Sequence, residues 1–383
     1  MTNDESQINA ESQMFKEAWL AWFVNPPQCS YGLVIWHWGF FRHLPFVIPW
    51  AVALLTFVNA RLATGSRIIQ IYQQMFGGYR FCLAALVALC HFGFQAAGFN
   101  PGQWAVISFY TLSGLLMERQ FQKLSRSGSG TRKFYLDRFL RIYPLYFAVL
   151  LLTWLGTPLF SWRGTMANVL LLPTNYSDFT GLPVLISPAW SLACEAHFYL
   201  LVPLLVLCST KTLRILASVS LCLFVTSLFL PDPTFWTYRG LPGILFTFLS
   251  GILINRNDRV FIKTLWLIVL LLLAGFATTK LAGTGLRTGL HINVAIGYLI
   301  AVAAVPCLDK FSANMKWDKF LGLFAYPLFL CHAPLGAFLQ QHWNIWQPFV
   351  LLFASCALAA SLILTVEIPF DRLRYRIRNV PHG

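Results

Sequence analysis

Ten apolar runs, each close to the length of a helix that crosses a bilayer, restrict what this chain can fold into. Backbone amides and carbonyls in hydrocarbon must bond within their own segment, so such runs become helices. Only 11% of the residues are charged and the mean hydropathy is +0.62, whereas soluble domains carry about 25% charged residues. The sequence predicts an all-α, polytopic integral membrane protein. The predicted spans are 80–97, 102–118, 143–160, 188–208, 213–230, 241–255, 264–279, 290–307, 320–339 and 348–366.

The loops between these runs carry their positive charges on alternate sides of the membrane. By the positive-inside rule the richer side is cytoplasmic, which places the C-terminus inside. The net charge of +14 is thus explained by topology and does not indicate nucleic-acid binding. The richer side holds Arg61, Arg67, Arg80, Arg119, Lys123, Arg126, Arg132, Lys133, Arg138, Arg141, Lys211, Arg214, Arg256, Arg259, Lys263, Lys310, Lys316, Lys319, Arg372, Arg374, Arg376 and Arg378, and the other side holds Lys16, Arg163, Arg239, Lys280 and Arg287.

The ends of the chain differ from its middle. Residues 1–27 are polar, and after them the short apolar run 44–58 favours one extra membrane helix. Residues 376–383, beyond the last span, form a basic tail. The nine cysteines show no CxxC or Cys/His metal spacing, so neither a metal site nor a disulfide is expected.

The first candidate functional pair is Arg80 and His91. Arg80 opens an apolar run and His91 follows eleven residues later, about 16 Å along a helix and near the middle of a bilayer. Ionisable groups inside a membrane are functional candidates by default. The alternative is that His91 only bonds a neighbouring helix.

Two further arginines, Arg138 and Arg141, lie three residues apart at a membrane entrance and thus on one helical face. Paired guanidinium groups suit phosphate or pyrophosphate, because their planar forks make bidentate contacts. The alternative is that both are ordinary positive-inside anchors.

A carboxylate and a second histidine are predicted at membrane depth. Glu195 lies about two turns into its span, where it could orient a histidine, transfer a proton, or pair with an arginine or hydroxyl. Ser191 precedes it by four residues on the same face. His332 lies about 18 Å from the start of its span, at the depth expected for His91. The small residues Ser113 and Gly114 favour a close helix approach.

Six motifs in this order resemble the membrane-bound acyltransferase family 3, whose members O-acylate surface polysaccharides, O-antigen, Nod factors, peptidoglycan and macrolides. Relative to the family pattern the chain has an N-terminal extension, residues 1–75, and it has Ala196 and His197 after Glu195 where a second acidic residue is common. The matching segments are Arg80 to His91 (Arg-x10-His), Phe109 to Leu115 (Phe-Phe-x-Leu-Ser-Gly-Phe), Arg138 to Arg141 (Arg-x-x-Arg), Trp190 to Pro203 (Trp-Ser-Leu-x-x-Glu), Tyr326 to His332, and Glu367 to Leu373.

The resemblance implies that residues 76–375 form an acyltransferase domain of a bacterial inner membrane. It implies cytoplasmic acyl-CoA, in the first instance acetyl-CoA, as co-substrate, no bound cofactor, and a saccharide or glycolipid hydroxyl as acceptor. Combined with the residues, it gives catalytic roles to His91, Glu195 and Arg80, donor binding to Arg80, Arg138 and Arg141, and supporting roles to Ser113, Trp190, Ser191, Tyr326 and His332. His91 would deprotonate the acceptor or carry the acyl group itself, with Glu195 orienting it.

The main alternative from another class is a transporter or flippase for a lipid-linked or acylated saccharide, because charges at mid-membrane also serve substrate pathways. The chain shows no internal repeat, and the order of the six motifs favours the enzyme. A non-catalytic scaffold is the third interpretation. The acyl group, the acceptor and the oligomeric state stay open.

Overall fold

A computed structural model describes residues 76–125, 130–156, 161–230, 233–283, 288–311 and 316–379. Within these ranges the regular structure is helical, apart from one isolated bridge between Ala96 and Phe99. The predicted all-α membrane fold is confirmed. The predicted extra helix at 44–58 lies outside the described residues.

The helices follow most of the predicted spans, but the helix Gly130–Leu155 begins well before its predicted span, 143–160. A π-helical turn, Phe235–Arg239, precedes the helix Leu241–Asn255, and a second one, Ile363–Glu367, joins the last two helices. The helices are α1 Gly77–His91, α2 Pro101–Ser125, α3 Gly130–Leu155, α4 Trp162–Leu170, α5 Ala189–Leu207, α6 Thr210–Thr226, α7 Leu241–Asn255, α8 Arg259–Leu281, α9 Gly289–Phe311, α10 Lys316–Trp343, α11 Pro348–Leu362 and α12 Ile368–Asn379.

Among the described residues, eight helical segments are long and apolar enough to cross a membrane. They correspond to eight of the ten predicted spans. The other two coincide with α1, which is apolar but has only 15 residues, and α2, which has 25 residues and is less apolar. The predicted span 80–97 is wrong at its end, because Gly93 adopts a φ of +95° and the helix stops at His91.

Helix α1 packs in parallel against α10. The amides of Gly77 and Gly78 donate to Oδ2 and Oδ1 of Asp318 at 2.9 and 2.7 Å, and His91 at the other end of α1 meets His332. Each contact joins residues about 241 apart in sequence, so the two helices keep one register along their length. A Cβ on Gly77 would lie 1.7 Å from the carbonyl oxygen of Asp318. The two backbones therefore touch where Asp318 caps α1.

Helices α2 and α7 also meet backbone to backbone. A Cβ on Gly114 would lie 1.9 Å from the carbonyl oxygen of Phe248, and one on Gly251 would lie 2.0 Å from that of Thr111. The close helix approach predicted at Gly114 is confirmed. Such contacts suit a membrane protein, where small residues let helices gain packing that hydrophobicity alone does not supply.

The short helix α4 folds back along α3. The hydroxyls of Tyr143 and Tyr146 in α3 donate to the carbonyls of Leu170 and Asn168 at 2.9 and 2.5 Å. The amide group of Asn168 then bonds the carbonyl of Pro183. These contacts hold the segment that leads into α5 against α4 and α3.

Replacing Gly114 with alanine should destabilise the protein by about 2 kcal/mol, because the methyl group meets backbone that cannot move aside locally. Gly275→Ala on α8 is the matched control, since nothing lies within 4 Å of its Cβ position. Thermal unfolding in detergent would measure both. Equal melting temperatures for the two variants would contradict the close contact.

Candidate active site

Four arginines from three helices form an arginine cluster, defined as Arg80 of α1, Arg138 and Arg141 of α3, and Arg374 of α12. Arg80 interacts unfavourably with Arg138 and Arg374, and Arg141 with Arg374, Arg80 and Arg138. The structure thus brings together the three arginines predicted to bind the donor. It adds Arg374, which the sequence analysis counted only as a positive charge in a loop.

Carboxylates offset much of this positive charge. Asp137 is buried and accepts from Arg138, from Nε of Arg374 at 3.2 Å and from the side-chain amide of Gln120 at 2.5 Å. Two further ion pairs complete the arrangement. They join Arg141 to Glu367 and Arg374 to Asp371.

This pairing bears on the predicted role of Arg138 and Arg141. Both side chains are largely buried and hold protein carboxylates, as structural ion pairs would. A charge at such depth is tolerated when it is paired and hydrogen-bonded. Their part in binding a donor stays a prediction. Arg141 visibly joins α3 to the π-helical turn before α12, and Arg138 joins α3 to Gln120 of α2.

Glu195 joins the cluster from α5. Its Oε1 accepts from the hydroxyl of Ser113 at 2.6 Å and from that of Tyr199 at 2.5 Å. The ring of Tyr199 lies under the guanidinium of Arg138, 5.8 Å away, and the charge of Glu195 favours that of Arg80. Glu195 therefore supplies negative charge beside Arg80.

At the far end of α1, two histidines form a histidine pair, defined as His91 and His332. Nδ1 of His91 lies 2.7 Å from Nε2 of His332, and Nδ1 of His332 lies 3.0 Å from the carbonyl oxygen of Leu328. The convergence predicted for the two histidines is confirmed. His332 is wholly buried, whereas His91 is only partly so.

The expectation that Glu195 orients His91 does not hold. Glu195 bonds Ser113 and Tyr199 and lies beside Arg80, which is about 16 Å along α1 from His91. A carboxylate at that position is beyond hydrogen-bond reach of the imidazole. The depth predicted for Glu195 is therefore wrong, because spacing along one helix does not show how far that helix is shifted relative to its neighbours.

The remaining predicted residues contact other parts of the bundle. The hydroxyl of Tyr326 donates to the carbonyl of Ile142 at 2.7 Å, and Arg141 lies over its ring. The hydroxyl of Ser191 donates to the carbonyl of Pro188, one turn earlier, and not to Glu195. Trp190 packs against Tyr238, and Arg239 lies over its indole.

Three residues of the site were missed as functional from the sequence: Asp137, Tyr199 and Arg374. Asp137 directly precedes Arg138, and an acid next to a positive-inside arginine is a signal of a buried pair. Tyr199 follows Glu195 by four residues, the spacing of neighbours on a helix. Arg374 reaches Asp137 across 237 residues of sequence, which no local pattern shows.

Comparison with known proteins shows the family of the chain. A family model described as "Acyltransferase domain" (acyltransferase 3) matches residues 32–366. The chain belongs to this family. It is a membrane O-acyltransferase, and its reaction requires an acyl donor and an acceptor. The match reaches into residues 1–75, and the predicted division of the chain at residue 75 stays a prediction.

Two curated proteins resemble this acyltransferase. An uncharacterized protein of Aquifex aeolicus is 25% identical over 205 residues, which are 50% of this chain and 90% of that protein. The acyltransferase MdmB of Streptomyces mycarofaciens is 29% identical over 150 residues, which are 33% of this chain and 37% of MdmB. The match therefore spans little more than a third of MdmB. No solved structure matches the chain.

Replacing Asp137 with asparagine should cost about 3–5 kcal/mol, because it leaves two buried arginines short of a counter-charge. Asp178→Asn is the matched control. Asp178 also pairs with one arginine, Arg239, but its side chain is 36% exposed where that of Asp137 is 0% exposed. That change should cost less than about 1 kcal/mol. Thermal unfolding in detergent measures both losses of stability. Equal losses would show that the ion pairs of Asp137 contribute no more than the exposed pair of Asp178.

Proposed function

We propose that this O-acyltransferase moves an acyl group, in the first instance acetyl, from acyl-CoA to a hydroxyl of a cell-surface saccharide or glycoconjugate, within a bacterial inner membrane. One observation carries the proposal. A single helix, α1, joins the arginine cluster to the histidine pair. Arg80, which would bind phosphate, and His91, which would accept a proton, lie about 16 Å apart on this helix.

The donor would dock at the arginine cluster, on the side proposed to be cytoplasmic. Mutual repulsion among the arginines is relieved when a phosphate joins them, and guanidinium groups bind phosphate in bidentate fashion. The pantetheine arm of a CoA thioester would then extend along α1 towards His91. Arg80 is the cluster member on the same helix as His91 and is the residue we assign to donor binding.

The chemical step uses His91 as general base. The acceptor hydroxyl gives its proton to the imidazole while its oxygen bonds the thioester carbonyl carbon. The carbon–sulfur bond breaks, and the departing sulfur takes that proton, so the products are an ester and a free thiol. His91 suits this role because it is partly accessible and its other ring nitrogen is engaged by His332.

The acceptor is assigned from the family resemblance. The family resemblance favours a polysaccharide, O-antigen or other glycoconjugate, and the name of MdmB adds only that a relative is an acyltransferase. No contact among the described residues identifies the acceptor. The saccharide class is therefore proposed on the family alone.

Membranes that contain the protein, given labelled acetyl-CoA, should transfer label to extractable saccharide. His91→Ala should lower transfer at least about 100-fold, the usual contribution of a general base. His342→Ala is the matched control, because this exposed histidine on α10 bonds only a carbonyl of its own helix. Full transfer by His91→Ala would remove His91 from the mechanism. Wild-type membranes that move saccharide across the bilayer without transferring label would favour a transporter.

Replacing Arg80 with alanine should raise the KM for acetyl-CoA about 10- to 100-fold, the loss expected for a hydrogen bond to a charged group. Arg163→Ala is the control, since this exposed arginine lies at the start of α4 and packs on the neighbouring Trp162. Steady-state kinetics in membranes would measure both. An unchanged KM with reduced thermal stability would show that Arg80 is structural.

A further inference from the structure

We propose that His332 is a positioning residue, which fixes the tautomer of His91 and thereby leaves Nε2 of His91 as the base. This inference depends on the proposed function of His91 and deepens it. It replaces the role first expected of Glu195 with a residue that touches His91.

The argument begins at the backbone of α10. Nδ1 of His332 lies 3.0 Å from the carbonyl oxygen of Leu328, one turn earlier on the same helix. A carbonyl oxygen only accepts hydrogen bonds, so Nδ1 of His332 must carry a proton. In a neutral imidazole the other nitrogen, Nε2, then holds a lone pair and accepts.

The second step transfers this constraint to His91. Nδ1 of His91 lies 2.7 Å from that lone pair, so Nδ1 must be the donor. The ring planes differ by 15° and the centroids are 5.0 Å apart, which is the hydrogen-bond length plus the two ring radii. The rings thus meet edge to edge in one plane, and the hydrogen bond lies along the lone-pair direction.

The result is a defined proton arrangement. With Nδ1 of His91 protonated, a neutral His91 has its own lone pair at Nε2, on the edge turned away from His332. When Nε2 takes a proton from the acceptor, the resulting cation donates a stronger, charge-assisted bond to His332. The reverse tautomer would place a proton at Nε2 and leave no base there.

Burial separates the roles of the two histidines. His332 is 0% exposed and lies against the rings of Phe92 and Phe329, so it cannot touch a substrate. Among the described residues, neither histidine has a carboxylate within hydrogen-bond reach. His332 therefore performs by hydrogen bonding the orienting role that an aspartate has in a hydrolase triad.

Two amide substitutions test this. In His332→Gln the side-chain oxygen reaches the position of Nε2 and can accept from His91, whereas in His332→Asn the shorter amide reaches only the position of Nδ1. We expect transfer by the Gln variant within about 10-fold of wild type, and a loss of at least about 100-fold for the Asn variant. KM for acetyl-CoA should stay unchanged in both, because the arginine cluster is intact. A merely structural role predicts similar losses for the two amides.

A second measurement does not depend on activity. The 15N NMR spectrum of the full chain with labelled histidine, in nanodiscs, distinguishes protonated from unprotonated ring nitrogens, and His91→Ala assigns the signals. We expect a protonated Nδ1 and an unprotonated Nε2 on His91. In His332→Asn this preference should be lost.

The outcomes separate the two proposals. If His91→Ala is fully active, the proposed chemistry of His91 fails, whatever the NMR spectrum shows. If His91→Ala is inactive but His332→Asn matches wild type, or if Nε2 of His91 carries the proton, the positioning role fails and the proposed function stands. An inactive Asn variant, an active Gln variant and the expected tautomer together would support both.

Discussion

The contact between Asp318 and the first turn of α1 sets the position of everything that α1 carries. The residue before this helix, Phe76, supplies no side-chain cap, so the amides of Gly77 and Gly78 depend on a carboxylate from α10. Unpaired amides are costly in a membrane, because no water replaces the missing bond. Since Gly77 also touches the backbone of α10, slippage by one residue is blocked. The same constraint brings His91 level with His332 fourteen residues later.

The two ends of α1 differ in how they handle charge. At one end, four arginines are held beside Asp137, Glu195, Glu367 and Asp371, and the network joins α1, α3, α5 and α12. At the other end, two imidazoles bond each other and a backbone carbonyl. Charge is thus concentrated where it can be paired, and the two imidazoles lie where the surroundings are apolar. The proposed transfer of an acyl group from an anionic donor to a neutral hydroxyl would use both environments.

Hydropathy and loop charge predicted the helices well, because a bilayer leaves a chain few ways to satisfy its backbone. Arg80, Arg138 and Arg141 were expected to meet, and they do, since all three were placed at one membrane boundary. The partner of His91 was harder to identify. Position along one helix is readable from spacing, but the shift and rotation of one helix relative to another depend on contacts such as Gly114 with Phe248, which link distant positions. For this reason Glu195 was predicted level with the histidines although it lies beside Arg80, and Arg374 was not recognised beside Asp137.

The parallel direction of α1 and α10 also restricts the number of times that the chain crosses the membrane between them. Gly77 and Asp318 lie at one end of the pair, and His91 and His332 lie at the other. A chain that leaves α1 at one surface and enters α10 from the opposite surface must cross the membrane an odd number of times between them. Six of the intervening helical segments meet the length and apolarity of a span, and α4 is too short to cross. The seventh crossing is therefore α2. Its polar side chains, including Ser113 and Glu118, make it less apolar than the other spans, and they bond to other helices of the protein within the membrane.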